Sequence, residues 1–534
     1  MEQKKGSSYL KQASILVAAG LIVRFIGFLY RLPLTALWGD TGNAYYAAGY
    51  QVYNFLLILS SAGLPAAIAK MVSERIALGQ YQNAHRVFQV ALLGCGVLSF
   101  VFGMILFFAA DWIADTICQI PDSYYALVTL SPTIFVVGIM SVFRGYFQGM
   151  NTMVPTALSQ IAEQIFNAVF SVVLAYFLVK HSVALAAAGG TAGTGIGAVA
   201  GLGVVMWIYR KQRPKIRNNI ALSQAHQPKE SAAHIGKVLV GTAFPIILGT
   251  AIYSITNLAD MSMVMGRLAD AGFDLATSEV LYGQLQGKYV VLTTMPVAIS
   301  TAMATAAVPT IAASAVLHDK AAVERKINMA IKIAMIVSIP AAVGMGVLAQ
   351  PILSMLFPTA SEGGDLLMIG SVSILFLALS QIVTGTLQGI GKVHVPAINA
   401  AFGAVVKIIL NYVLIAIPVL NVKGAVIATI FCYVVASLLN LRALQKATGF
   451  TLDFVGAIWK PAVAAAVLGI VCFGLYRLIS GLGNTPATLV TIVVCIGVYA
   501  AVLLKEKGLT EEEILAMPMG GRILHIAQKF HLMP

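Results

Sequence analysis

The sequence predicts an all-α polytopic membrane protein: fourteen transmembrane helices as two parallel six-helix lobes plus two extra C-terminal helices, with N- and C-termini cytoplasmic. Three observations carry that expectation. Of 534 residues, 59% are hydrophobic and only 10% charged, where a soluble protein of ordinary composition is about 25% charged. The apolar residues gather into runs long enough to cross roughly 30 Å of hydrocarbon, not into the alternating segments of a membrane β-barrel. The chain also repeats itself. Gly145-Tyr146-Phe147-Gln148-Gly149 returns as Gly385-Thr386-Leu387-Gln388-Gly389 and Pro155 as Pro396, an offset of 240–241, while Tyr46 and Tyr53 match Tyr282 and Tyr289 at 236.

The fourteen segments fall at 12–37, 44–69, 87–110, 123–149, 155–179, 183–209, 237–265, 280–314, 327–350, 364–390, 395–417, 422–441, 456–478 and 485–504. The first has a basic start (Lys4, Lys5, Lys11), but Arg24 interrupts its apolar run. That pattern predicts a retained span and not a removed signal peptide. Orientation follows from the basic residues. With the N-terminus inside, the external loops hold only Lys180, Arg267, Lys423 and Arg477, and are acidic at Asp40, Asp111, Asp115, Asp122, Asp270, Asp274, Glu279, Glu362 and Asp365. Six cations (Arg24, Arg31, Arg144, Lys288, Lys407, Lys460) lie within spans, and the rest of the 34 Lys+Arg fall on the cytoplasmic side.

The predicted domains are an N-lobe at 1–209, a basic cytoplasmic linker at 210–236, a C-lobe at 237–445, the two added spans within 456–504 and a cytoplasmic amphipathic tail at 505–534. Each lobe has an even number of spans, so the repeats share one orientation about an axis along the membrane normal. In the tail, Thr510 with Glu513 forms a capping-box pattern ahead of Ile514 and Leu515, and Arg522, Ile523, Leu524, Ile526, Lys529 and Phe530 suggest a surface-lying helix. The net charge of +13 sits in short loops facing anionic lipid, so nucleic acid is not implied. Cys95, Cys118, Cys432, Cys472 and Cys495 are scattered, which supports neither a disulfide framework nor a metal site. No catalytic motif appears either.

Charged groups inside spans are the candidates for function. Arg24 and Arg31 are seven residues apart, almost two helical turns, so they share one face roughly 10 Å apart. An arginine at mid-bilayer depth costs about 2.5–3.5 kcal/mol on the insertion scale, which a lipid-facing position would not return. Their face is expected to look into a hydrated cavity suited to an anionic cargo. In the fifth span Ser159, Glu163 and Asn167 share a face with Gln160 and Gln164 beside it. Glu163 reads either as a proton or sodium coupling site, with Asn167, or as the counter-ion of Arg24 or Arg144. Lys288, Lys407 and Asn411 are further cargo candidates, and Tyr53, Arg144 and Asp260 are secondary ones, Arg144 weighed against an interfacial anchor. Gly189, Gly193, Gly197 and Gly201 read as a ridge for close helix packing, because the lysine of a phosphate loop is missing. Pro65, Pro132, Pro245, Pro296, Pro309 and Pro340 mark kinks.

With FRGYFQGMNTMVPTALSQIAEQ at 143–164 and VRFIGFLYRLPL at 23–34, the chain resembles the stage V sporulation protein B and YtgP-like branch of polysaccharide exporters. That branch is related to MurJ-like lipid II flippases and multidrug extruders. The resemblance implies flipping of an undecaprenyl-pyrophosphate-linked cell-wall precursor, lipid II foremost, to the outer leaflet by alternating access. It implies no cofactor beyond a coupling proton, sodium ion or the membrane potential. Its partners would be a lipid-linked anionic oligosaccharide, membrane lipids and cell-wall synthesis proteins, in the bacterial cell membrane. The two added spans would hold the lipid tail. Arg24 and Arg31 match the family's first-span arginines and Lys288 lies about one turn from its eighth-span cation, whereas the second span has no arginine and Asn43 replaces an acid.

Export of another lipid-linked polysaccharide unit is an alternative within the same resemblance, and three further readings stand beside it. A cation-coupled drug extruder favours a carboxylate in the first span, where Arg24 and Arg31 would repel a cationic drug. A membrane glycosyltransferase needs a large loop with catalytic carboxylates. A structural scaffold leaves the buried charges unexplained.

Overall fold

A computed structural model describes residues 2–61, 63–222, 229–298, 300–301, 311, 314, 319–392, 394–511 and 513, and the tail positions 521, 524, 525 and 528. Pro309 with most of the later part of the eighth expected span lies outside the described residues, as do linker positions 223–228 and tail residues Ile514, Leu515, Arg522, Ile523, Ile526, Lys529 and Phe530. Among the described residues the structure is helical, with no strand. Ten helices are long and apolar enough to cross a membrane, eleven if one pair bent by 45° counts as a single span. Contacts divide the chain into two compact units, Met1–Ala269 with Phe273–Gly283, and Asp270–Gly272 with Gln284–Pro534.

The first unit begins with α1 (Glu2–Leu29) and α2 (Arg31–Ser61). The first span was expected to run unbroken to 37, but a turn at Tyr30 separates the two helices. Pro33 explains the restart, since in the first turn of a helix its missing N–H costs no hydrogen bond. The helix kinks at Gly39, whose φ of 67° is open to glycine at little cost. Asn43 closes this corner, its Oδ1 accepting from Thr35 Oγ1 at 3.1 Å and Trp38 Nε1 at 3.0 Å. Here the amide does structural work that a carboxylate could also do, so the missing acid leaves the turn intact.

Next come α3 (Leu64–Ala77), α4 (Tyr81–Trp112), α5 (Tyr124–Gly149), α6 (Val154–Leu178) and α7 (Val183–Leu222). The repeated glycines are packing surfaces: a Cβ at Gly145 would lie 2.9 Å from Pro65 Cα, and one at Gly149 2.7 Å from Val72 Cβ. The glycine ridge of α7 seats it on α6. A side chain at Gly193 would run into Ser171, one at Gly197 into the Glu163 carbonyl, and one at Gly201 would come within 3.1 Å of Ser159 O. Helix α7 continues through the basic run to Leu222. Ahead of α8 (Ala232–Asp270), Glu230 accepts both Arg75 Nε (2.8 Å) and Nη2 (2.5 Å). Helix α9 (Leu275–Gln284) ends this unit.

In the second unit a widened helical turn, Leu285–Tyr289, precedes α10 (Lys320–Val347), α11 (Ala349–Leu356), α12 (Gly364–Gly370) and α13 (Ser373–Gly389). Then follow α14 (His394–Leu414), α15 (Val422–Thr448), α16 (Lys460–Ile479) and α17 (Asn484–Lys505). The last two pair through Cys472 and Cys495, whose sulfurs are 3.0 Å apart, and α17 reaches α10 by a bond from Tyr499 Oη to Ile336 O at 2.9 Å.

The repeat is visible in the packing. In the first unit Arg144 Nε donates to Ser159 Oγ at 2.8 Å. In the second unit Thr384, the counterpart of Arg144, and Asn399, one residue before the counterpart of Ser159, both bond Asn440, at 3.3 and 2.8 Å. One unit thus makes with charge the crosslink that the other makes with amides.

Candidate cargo site

Within the first unit the polar groups of four helices form one continuous seam. It starts at Arg31, at the head of α2, whose Cζ lies 5.1 Å from the centre of the Tyr46 ring. The Tyr46 hydroxyl meets that of Tyr30 at 2.9 Å. Tyr46, Tyr50 and Tyr53 recur at helical spacing, so their rings meet along one face, tilted at 4.6 Å and edge-to-face at 5.7 Å between centroids. Tyr53 is buried among them. From Tyr50 the seam crosses to the hydroxyl of Thr194 on α7, and Thr194 donates to Asn167 Oδ1 at 3.2 Å. Asn167 also has Ser171 Oγ at 2.9 Å.

One turn along α6, Glu163 takes a charge-assisted bond from Arg144 Nη2 at 2.7 Å. Of the two partners the sequence offered for Glu163, the geometry selects Arg144. Both side chains keep limited exposure, 14% and 25%. The pair is also anchored by Ser159, which receives Arg144 Nε and Nη2. The polar stripe of the fifth span therefore faces into the unit, against the glycines of α7, and not outward.

The first-span cations behave differently. Among the described residues neither Arg24 nor Arg31 pairs with a carboxylate. Arg24 is exposed on α1, while Gly27, one turn on, packs toward Gln164. Arg31 is half-buried over the tyrosines, which offer ring faces and hydroxyl oxygens but no full negative charge. Such guanidinium groups retain their capacity for a phosphate.

At the end predicted to be external, α9 is tied to α2. The Tyr45 hydroxyl lies 2.9 Å from Glu279 Oε2 and 3.0 Å from Asp122 Oδ2. Burial pushes the Glu279 carboxyl above the ordinary glutamate value; the Tyr45 bond opposes this and the Asp122 charge adds to it. Asp260 is buried in the C-terminal third of α8, within electrostatic range of Tyr282.

In the second unit Lys288 sits in the widened turn and is 1% exposed. Its ammonium donates to Glu362 O at 2.9 Å and lies 6.0 Å from the centre of the Phe357 ring. Lys407 is half-buried and Asn411 buried on α14. Sequence reasoning missed Tyr30, Thr194 and the Tyr45 bridge. Thr194 carried no signal among the small residues of its span, whereas Tyr30 could have been found from its place between Arg24 and Arg31.

The sequence pattern of the family described as "Polysaccharide biosynthesis protein" matches residues 9–315. The chain belongs to that family. A second pattern, MatE, matches residues 245–413. Among the chain's relatives, Stage V sporulation protein B of Bacillus subtilis is 25% identical over 97% of this chain and 99% of its own length. The Lipid II flippase MurJ of the same organism is 27% identical over 87% and 88%. A solved inward closed conformation of MurJ superposes with a TM-score of 0.67 at 15% identity, covering 91% of this chain and 97% of that one. An inward-facing multidrug resistance MATE family transporter gives 0.64 at 17% identity, covering 80% and 98%. At such identities the likeness establishes the fold. The chain is a multi-pass protein of the cell membrane with a transporter's fold, not an enzyme's.

Proposed function

We propose that the chain is a flippase carrying an undecaprenyl-pyrophosphate-linked cell-wall precursor, lipid II foremost, from the inner to the outer leaflet. The carrying observation is that Arg24 and Arg31 have no carboxylate partner among the described residues, while Arg144 has one. An uncompensated guanidinium within a span is costly unless something negative visits it. A pyrophosphate fits, because the planar fork binds phosphate oxygens bidentately and never deprotonates. The family and its relatives favour a lipid-linked saccharide as the bearer of that pyrophosphate. The rival drug extruder would place two fixed positive charges before a cationic cargo.

The finer reading has fourteen spans, both termini inside, and alternating access of the two repeats. Arg24 and Arg31 take the phosphates, with Lys407 and Asn411 as further contacts. Lys288 adds field more than contact, since its ammonium already serves the Glu362 carbonyl. The test is a leaflet-accessibility assay for lipid II in cells where this chain is the sole candidate flippase. The wild type should expose lipid II outside, and Arg24→Ala should leave it inside at unchanged protein level. Failure of the wild type would exclude lipid II as cargo; normal flipping by Arg24→Ala would remove that residue from the site. Run with Glu163→Gln, the same assay shows whether Glu163 couples an ion, by a changed pH or sodium dependence, or serves only Arg144.

A further inference from the structure

At the basic end of the first unit is a cavity of about 420 Å³ that the transport reading does not use. Its walls come from the C-terminal end of α3, the start of α4, the loop after α5 and the basic extension of α7. Its lining is mixed, with Ile76, Met150 and Ile216 among the apolar residues and Tyr146, Thr152 and Lys215 among the polar ones. Its level relative to the bilayer can be read from α7. Trp207 is 62% exposed and Lys211, one turn on, lies 5.5 Å from the centre of its ring. An exposed tryptophan followed by lysine is the signature of the headgroup layer. Lys215 is two turns past Trp207, about 12 Å, so its flexible stem can bring the ammonium back to that layer.

The internal repeat supplies an independent reading of what this place requires. The second unit has a cavity of about 250 Å³ lined by Ile390 and Lys392, the residues 240 positions after Met150 and Thr152. It too opens at the start of a helix, α10, where Asp319 caps the N-terminus by accepting from Ala322 N at 2.9 Å. In that copy the cavity holds a carboxylate of the protein, Asp319, together with the lysines Lys320 and Lys392. In the first unit the capping position of α4 is Gln80, which makes no such side-chain bond. The corresponding cavity is larger, and Lys215 is the one charged residue among the described residues that line it.

We infer that this cavity of the first unit binds the phosphodiester headgroup of an anionic glycerophospholipid of the inner leaflet. Lys215 supplies the counter-charge, Tyr146 and Thr152 supply hydroxyl donors, and Ile76, Met150 and Ile216 receive the glycerol and first acyl carbons. The site is separate from Arg24 and Arg31 and does not depend on the identity of the cargo.

The test uses the full chain in neutral detergent, with thermal unfolding measured against short-chain phosphatidylglycerol. Phosphatidylcholine and inorganic phosphate serve as comparison probes. Phosphatidylglycerol should raise the melting temperature saturably, and the other two should not. Lys215→Gln should weaken apparent affinity about fivefold, the worth of one lysine at an anionic surface. Lys392→Gln, at the repeat-equivalent cavity, should leave it unchanged. Tyr146→Phe is a second variant that keeps the ring and removes a donor, and it should weaken binding in the same direction. Equal protection of wild type and Lys215→Gln would overturn the assignment. Equal protection by inorganic phosphate would replace the lipid with a free anion and overturn it as well.

Discussion

The Tyr45 hydroxyl carries one hydrogen but lies within bonding distance of two carboxyl groups. It can donate to only one of them at a time. Asp122 is exposed and Glu279 buried, and burial pushes the Glu279 carboxyl upward while the bond from Tyr45 opposes the shift. The sign of the effect follows from linkage. A carboxyl with a folded value above its unfolded value of about 4.3 binds protons more tightly in the fold. Its contribution is complete below that unfolded value and is lost as pH rises through the folded one. Unfolding of the purified protein across pH should therefore show stability declining over that window, and Glu279→Gln should flatten the decline. A wild-type profile that is already flat there would mean Glu279 is ionised in the fold. Arg144 and Glu163 form a direct ion pair, and each is what makes the other tolerable in a span.

At the scale of helices, the contact between α6 and α7 depends on glycines that let a polar helix approach closely. Because a Cβ at Gly193 meets Ser171 and one at Gly197 meets the Glu163 carbonyl, alanine there must push the helices apart. Overpacking of this kind costs about 1–3 kcal/mol, and it would also stretch the Thr194–Asn167 bond. Gly193→Ala and Gly197→Ala should each lower the melting temperature in detergent. Gly203→Ala, with open space around its Cβ, should not. An unchanged melting temperature for both ridge variants would dismiss the ridge as a packing device. This contact was legible in the sequence because both of its signals are periodic: a glycine every four residues on one helix and Ser159, Glu163 and Asn167 at the same spacing on the other. The break at Tyr30 was not, since Pro33 is compatible with either a kink or a helix start, and hydropathy does not distinguish them. Nor was the Tyr45–Glu279 bridge, whose residues lie 234 positions apart, a separation no local pattern spans. The counter-ion of Glu163 was narrowed to Arg24 or Arg144 in the sequence and resolved only by geometry.

For the molecule as a whole, the segment beyond the last span is part of the second unit's structure. The capping-box pattern read from Thr510 and Glu513 is formed, with Thr510 N donating to Glu513 Oε2 at 2.8 Å and Glu513 N to Thr510 Oγ1 at 3.3 Å. The same carboxylate takes both its oxygens to Lys332 Nζ on α10, at 2.9 and 2.7 Å. Lys332 is 8% exposed, so its ammonium has given up most of its water for this one carboxylate. Removing one member of such a pair is costly because the other stays buried and charged, whereas removing both can be nearly neutral. Truncation after Lys505 should therefore destabilise the protein, and the same truncation combined with Lys332→Met should recover most of the loss, both read as melting temperature in detergent. The double change separates two accounts of the tail. If the tail acted only by lying on the membrane surface, Lys332→Met would restore nothing, and the truncated protein would melt at the same temperature with or without it. If the tail acts through Glu513, the methionine supplies what the carboxylate did, an α10 with no uncompensated charge in its interior.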